Sequence, residues 1–364
     1  PAVSVIDDQA PAPAPIDGDV AEWLVMLYFD ADSNILERDL MLDLNEAERA
    51  GSSDQVHIVA QVDRYDGAFA GMGDWTTTKR FYLTPDDDLN AIGSTELADL
   101  GELNMADGDT LTDFIFWAVT RYPARKHSLI MSDHGSGWPG GYSDNAPGGR
   151  GKHDLVLADD MQDNLWLMEL DAALGTALDQ TGLEKFELVG FDACLMSQIE
   201  VYSALVPHAR YAVASEEVEP GLGWAYTSFL EQLSANPTMN GAELARVIVD
   251  SYINQDQRLL DDEARQQFLA EYNADEQSPS LIAGELFYGA TLSGIDLAAV
   301  PALGNALDNL ALRLLDIDPK TVDKARTYAQ SFETVFDTDL PSPYIDLGHF
   351  ALWLRERSGD PTVI

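Results

Sequence analysis

Short runs of apolar residues alternate along this chain with stretches whose apolar positions recur at helical spacing, the pattern of βαβ units around a mostly parallel sheet. Residues 23–31 and 56–63 are predicted as buried strands, separated by an amphipathic helix over 35–50 that Gly51 stops. Residues 76–84 are β-branched and aromatic enough for a hairpin arm, after turns at Asp66-Gly67 and 71–73. A turn at 85–88 and a helix over 109–122, capped at its acidic start, lead into a strand that ends at His134. The glycine-rich stretch 135–152 is predicted as a long exposed loop, followed by an acidic segment and a helix over 167–180. A second buried strand ends at Cys194, with a helix over 197–205, a strand over 211–217 and a turn at 220–223 behind it. Beyond Trp224 helical patterns dominate, with a strand over 288–297 and a last helix over 345–357. The fold class is α/β. Residues 1–20 are expected as a linker, 21–235 as the core, and 236–364 as a helix-rich region that is either a separate domain or packed on the core, a choice the pattern leaves open.

The 364 residues, 46% hydrophobic, are enough for one large core or two ordinary ones. Acidic residues number 63 against 21 Lys plus Arg, a formal charge of -42, which repels nucleic acid and anionic lipid and attracts cations. Such a surface also serves solubility or tolerance of high salt. No run of eighteen apolar residues appears, so membrane insertion is not expected. The chain starts at Pro1, and its Ala-Pro stretch over 10–16 reads as an extended linker of the kind that follows a removed export signal, so a secreted or extracytoplasmic location is expected.

Two phrases carry candidate chemistry. One is His127-Ser128-Leu129-Ile130-Met131-Ser132-Asp133-His134-Gly135; the other is Phe186-Glu187-Leu188-Val189-Gly190-Phe191-Asp192-Ala193-Cys194. Each is an apolar strand that runs into a reactive side chain beside a small residue. Cys194 is the sole cysteine, so no intramolecular disulfide explains it. At the carboxyl edge of one parallel sheet a thiol and an imidazole can face each other. The thiolate attacks a carbonyl, the imidazole protonates the leaving amine, and the backbone N–H groups of Gly135 and Cys194 hold the oxyanion. The helix after Cys194 is expected to lower the thiol pKa through its dipole. Taken singly, Cys194 reads as a small buried hydrophobe and His134 as a loop histidine; together, at two strand ends, they favour catalysis.

At these residues the chain resembles the clostripain family of cysteine peptidases, of the same clan as caspases, legumain, gingipains and separase. The resemblance rests on Ser132-Asp133-His134-Gly135, on Gly190-Phe191-Asp192-Ala193-Cys194-Leu195-Met196, and on Ala214-Ser215-Glu216-Glu217 with Glu219-Pro220-Gly221 and Gly223-Trp224. It covers roughly 23–235 and continues loosely through Tyr344-Ile345-Asp346-Leu347. It implies a caspase-like α/β/α sandwich and an endopeptidase that cleaves proteins or peptides after Arg or Lys, with Cys194 as nucleophile and His134 as general acid/base. Asp192 corresponds to the family's acid in the P1 pocket, and charge complementarity toward a desolvated guanidinium or ammonium agrees. Glu216, Glu217 and Glu219 compete for a second pocket acid, and Trp224 is either an apolar pocket wall or core. The family's self-processing points to Arg150 and Lys152 in the loop between His134 and Cys194.

No cofactor is needed for this chemistry, but the family's calcium habit implies a calcium effect on activity. The acidic groups 86–88, Asp159, Asp160 and Asp163 are available, with no ligands assigned and no EF-hand pattern. A monomer is expected. Two other readings stand beside the peptidase: an inactive binding module on the same fold, and a metal hydrolase using Asp133, His134 and loop acids. The other histidines, His57, His127, His153, His208 and His349, show no metal-ligand spacing.

Overall fold

The computed structural model describes residues 20–144, 163–271, 278–333 and 341–358. Its strands are β1 Ala21–Ala31, β2 Val56–Arg64, β3 Lys79–Tyr82, β4 Thr95–Asp99, β5 Ala124–Ser132, β6 Gly140–Asp144, β7 Asp163–Trp166, β8 Phe186–Asp192, β9 Ala209–Ala214 and β10 Ser293–Asp296. The helices that cover the sheet are α1 Glu37–Ala50, α2 Gly108–Arg121, α3 Leu167–Thr181, α4 Ile199–Leu205, α5 Tyr226–Ala235 and α6 Gly241–Ser251. Further helices follow from residue 257 onward, the last being Leu347–Ser358.

Among the described residues eight strands form one sheet in the order β10-β9-β8-β5-β1-β2-β3-β4. The central run from β9 to β2 is parallel, and β3, β4 and β10 add antiparallel edges. Helices lie on both faces, which gives the α/β/α sandwich. The strand β1 shows why: Trp23, Val25, Leu27 and Phe29 enter the layer under α1, α5 and α6, whereas Leu24, Met26 and Tyr28 enter the layer under α2 and α3. Every one of these side chains is buried, and each contributes about 1.5–3 kcal/mol against an exposed state. Gly51 ends α1 at φ 58, where a Cβ would lie 2.3 Å from the Pro85 nitrogen. The cap of α2 is Asp107, two residues before the expected start, its side chain accepting from the Asp109 N–H.

Four expectations are corrected. The stretch after Gly135 is not exposed throughout: β6 pairs with β7 as a two-stranded ribbon, with Tyr142, Ser143 and Asp144 buried, because Tyr142 enters the α2/α3 layer beside Phe191. The helix after Cys194 begins at Ile199, since Leu195 turns the chain at φ 66 and delays it. The strand expected to 217 stops at Ala214, where Ser215 and Glu217 turn back on themselves through the Ser215 hydroxyl. The hairpin arm shortens to 79–82 and gains an unforeseen partner, β4, whose residues are half or fully exposed and so carry little hydrophobic signal. No helix among the described residues is long and apolar enough to cross a membrane.

Candidate active site

Strand register brings the two chemical phrases together. Ser132 of β5 is the partner of Asp192 of β8, and His134 and Cys194 each stand two residues further along. The segments then touch backbone to backbone: a Cβ on Gly135 would lie 2.1 Å from the Cys194 carbonyl oxygen and 3.0 Å from its nitrogen. Only glycine fits there. Cys194 is partly exposed, and its Sγ accepts the Glu219 N–H at 3.3 Å. The turn that carries it is tied to the 215–219 segment by Leu195 N–H to the Glu217 carbonyl and Ser197 N–H to the Ser215 carbonyl.

His134 Nε2 lies 3.1 Å from the Ser33 hydroxyl, a residue the sequence reading passed over. The same oxygen accepts the N–H groups of Ile35 and Leu36 at 3.4 and 3.3 Å. With both lone pairs engaged, the hydroxyl has its proton to give to Nε2, which assigns the imidazole proton to Nδ1. Burial pulls the His134 pKa down and pushes the Cys194 pKa up, the latter opposed by the Glu219 N–H and reinforced by the charge of Asp192. The resting pair is therefore a neutral thiol and a neutral imidazole. This corrects the expectation of a lowered thiol pKa: α4 starts five residues after Cys194, too far for its dipole to outweigh burial. Replacing Ser33 with alanine removes a donor that favours neutral imidazole. The rise in pKa should move the acid limb of the pH–rate profile upward and lower kcat/KM about tenfold, one hydrogen bond's worth. An unchanged profile and rate would separate Ser33 from the imidazole.

On the α1/α5 side of the same edge, Asp192 is buried and accepts the Tyr226 hydroxyl at 2.8 Å and the Trp224 N–H at 3.3 Å. The Glu219 carboxyl sits beside Asp192 and the Trp224 indole, its two oxygens buried. Burial raises both carboxyl pKa values, and for Glu219 the charge of Asp192 raises it further. The hydrogen bonds to Tyr226 and Trp224 and the charge of Arg258 oppose the rise at Asp192. Trp224 is fully buried, its ring over Gly190, where a Cβ would come within 2.7 Å. Deeper still, the buried Arg258 is held by Asp43 at 2.8 Å, Asp256 at 2.9 Å and Glu46 at 3.3 Å, and its charge acts to lower the Asp192 pKa. Gly223, at φ 61, passes between Asp43 and Asp192 where a Cβ would meet both.

Of the proposed pocket residues the fold brings together Asp192, Glu219 and Trp224, and it does not bring Glu216 and Glu217. Glu217 accepts the N–H groups of Val218 and Glu333, at 3.0 and 2.7 Å. The Glu216 carboxyl is raised by burial and by Asp346, and its N–H donates to Thr291. Both therefore serve the junction with the C-terminal region. That region reaches the catalytic edge itself: Phe332 and Tyr344 pack on Leu195, Cys194 and Val218, and the Tyr344 hydroxyl donates to the Ser136 carbonyl. Arg150 and Lys152, like Asp159 and Asp160, lie outside the described residues.

Among the described residues no three His, Cys, Asp or Glu side chains form a ready metal-binding group. Asp86 and Asp88 are spent on their own turn, accepting the N–H groups of Asp88 and Asn90. Asp163 accepts from Asn104 at 2.6 Å. His57 meets Tyr82, His208 meets Asp171 and His349 meets Trp353, each a structural contact.

The sequence profile of the clostripain family matches residues 27–359. This chain belongs to the clostripain family. It is 26% identical over 332 residues to clostripain of Hathewaya histolytica, covering 83% of this chain and 58% of that protein, so it spans under two thirds of the curated relative it matches. A secreted C11 cysteine protease of Bacteroides thetaiotaomicron, solved with an irreversible peptide inhibitor, superposes with a TM-score of 0.59 at 19% identity, covering 94% of this chain and 80% of that one. An inactive zymogen C11 protease of Parabacteroides distasonis gives 0.57 at 16% identity, over 94% and 83%. At such identities the superpositions speak for the fold, and the caspase-like sandwich expected from the sequence is the fold of this clostripain-family chain. Ser33, Tyr226 and Arg258 were missed in sequence because each sits in an ordinary polar or helical context; only the Ser33-Asn34 break before α1 marked that edge of the site.

Proposed function

We propose that this chain is a cysteine endopeptidase that cleaves proteins or peptides after Arg or Lys through Cys194 and His134. The observation that carries the reading is the convergence at one sheet edge of a partly exposed thiol, an imidazole and a buried pair of carboxyls. A P1 guanidinium or ammonium entering beside Asp192 and Glu219 pairs with their carboxylates, and its ion pairs form in a dry site where they are strong. His134 exchanges the Ser33 hydroxyl at Nε2 for the thiol and takes its proton as sulfur attacks the scissile carbonyl, the N–H groups of Gly135 and Cys194 receive the oxyanion, and the imidazolium then protonates the leaving amine. Water hydrolyses the thioester, His134 acting as base, and the free thiol returns. Labelling with a peptidyl-Arg electrophile tests the assignment: mass spectrometry should place the adduct on Cys194, and an unlabelled Cys194 would refute it.

The precursor is proposed to hold itself inactive through the loop at Arg150 or Lys152 and to activate by cutting there. Freshly purified protein should convert to two fragments with a rise in activity, whereas the Arg150→Gln/Lys152→Gln double variant stays whole. An uncut wild-type chain that is already fully active would end this proposal. Calcium is proposed to raise activity, and export is proposed in line with the secreted relative. The expected working state is a monomer.

A further inference from the structure

The order of the strands decides on which side of the thiol each half of a substrate lies. His134 follows β5, and its Nε2 lies 3.1 Å from the Ser33 hydroxyl just past β1, so the leaving amine that the imidazole protonates lies toward β1. The acyl half therefore runs from Cys194 the other way, across β9 toward β10. On that side the residues after β9 flank the sulfur: Glu219 donates its N–H to it, and the N–H groups of Glu216 and Glu217 donate to Thr291, just before β10. Beyond them opens a groove of about 1170 Å³. At its near end stand Ser197, from the turn that carries the thiol, and Tyr344, which packs on Leu195.

One wall of the groove is the helix Val300–Leu314, whose Leu303, Leu307 and Leu310 recur at helical spacing and share a face. Ile199 of α4 and Leu347 of the last helix also line it. Such an apolar face is ordinarily spent inside a core, yet Leu303 is 43% exposed, and Trp138 stands in the same groove 55% exposed. Tryptophan beside an open apolar surface is a favoured anchor for a bound chain. Glu200 and Glu216 make the near end acidic, which repels anionic segments. We infer that the groove binds an apolar segment of the substrate upstream of its P1 residue. Two strand spacings of about 4.8 Å separate β8 from β10, and extended chain covers that in about three residues, so aliphatic or aromatic side chains are favoured from about the fourth residue before the cut. The groove is continuous with the catalytic edge through Tyr344 and Phe332, so a chain held at Cys194 by its carbonyl is delivered to it. The inference rests on the peptidase reading above, because the imidazole defines the acyl side.

The test compares three coumarylamides of Arg with the full chain: a short one with a single blocked glycine before Arg, and two long ones in which Gly-Gly before Arg is preceded by Leu-Leu-Ala-Leu or by Ser-Ser-Ala-Ser. The leucine peptide should exceed the serine peptide about tenfold in kcat/KM, since the burial of aliphatic side chains is offset in part by ordering the chain. The gain should lie in KM, because the groove holds ground state and transition state alike. Leu303→Glu should bring the ratio of the two long peptides near unity, while Leu312→Glu, 65% exposed and outside the groove on the same helix, keeps it. A wild-type ratio near unity, or a ratio that Leu303→Glu leaves intact, would overturn the groove. A dimer that Leu303→Glu separates in sedimentation, with equal rates for both long peptides, would give the face to a second copy of the chain and overturn it too. Failure to hydrolyse even the short amide would instead remove the peptidase reading, and this inference with it.

Discussion

Cys194→Ala should abolish peptidase activity, lowering kcat by a factor on the order of 10^5 to 10^6, the usual loss when a covalent nucleophile is removed. The protein should remain folded, because the side chain is small and partly exposed and alanine leaves the backbone contact with Gly135 intact. The expected stability change is therefore less than about 1 kcal/mol, and circular dichroism with thermal unfolding separates loss of chemistry from loss of fold. The variant should also remain a single uncut chain. Activity retained against a peptidyl-Arg substrate would remove the thiol from the mechanism and favour a different hydrolytic site.

Asp192→Asn should cost about 100-fold or more in kcat/KM toward Arg and Lys substrates, the scale of about 3 kcal/mol for a desolvated charge-assisted contact, and should leave cleavage after uncharged residues nearly unchanged. Asparagine keeps an oxygen for the Tyr226 hydroxyl and the Trp224 N–H, so the pocket wall persists and the lost quantity is charge. The pH dependence has a defined sign. Both pocket carboxyls titrate above their ordinary range near 4, because burial disfavours the charged form. Proton loss prepares them for a cation, so kcat/KM for Arg substrates should climb as pH rises above that range. In Asp192→Asn this climb should flatten and move lower, since Glu219 no longer faces a neighbouring charge. A full wild-type pH slope in the variant, with unchanged P1 preference, would place the specificity pocket elsewhere.

Much of this site was legible in the chain. His134 and Cys194 each follow a continuous apolar strand, and an apolar run that stops at a reactive side chain marks the carboxyl edge of a parallel sheet, whatever the distant contacts. Asp192 came from the family resemblance, which matches it to the acid two residues before the thiol, and charge complementarity agreed. Glu219 did not, because Glu216, Glu217 and Glu219 are indistinguishable by spacing, and only the turn after Ala214 swings one of them under the indole of Trp224 and ties the others to Thr291 and Glu333. The ribbon of β6 and β7 was hidden because its two strands have only 5 and 4 residues and are separated by the segment 145–162. Arg258 was hidden because a lone arginine in a polar stretch reads as solvated, and its burial depends on Asp43, 215 residues earlier in the chain.

The sequence by itself determined the alternation of strands and helices and the strand ends that bear the thiol and the imidazole, since these follow from local periodicity and from residue type; the acids proposed for the pocket came through the family resemblance. Tertiary structure alone decided which glutamate joins Asp192 and which hydroxyl holds the imidazole. Those outcomes depend on register and crossover, and the contacts that fix them join residues tens to hundreds of positions apart. No local pattern encodes such pairings, because their energy appears only when the sheet has closed and water has left.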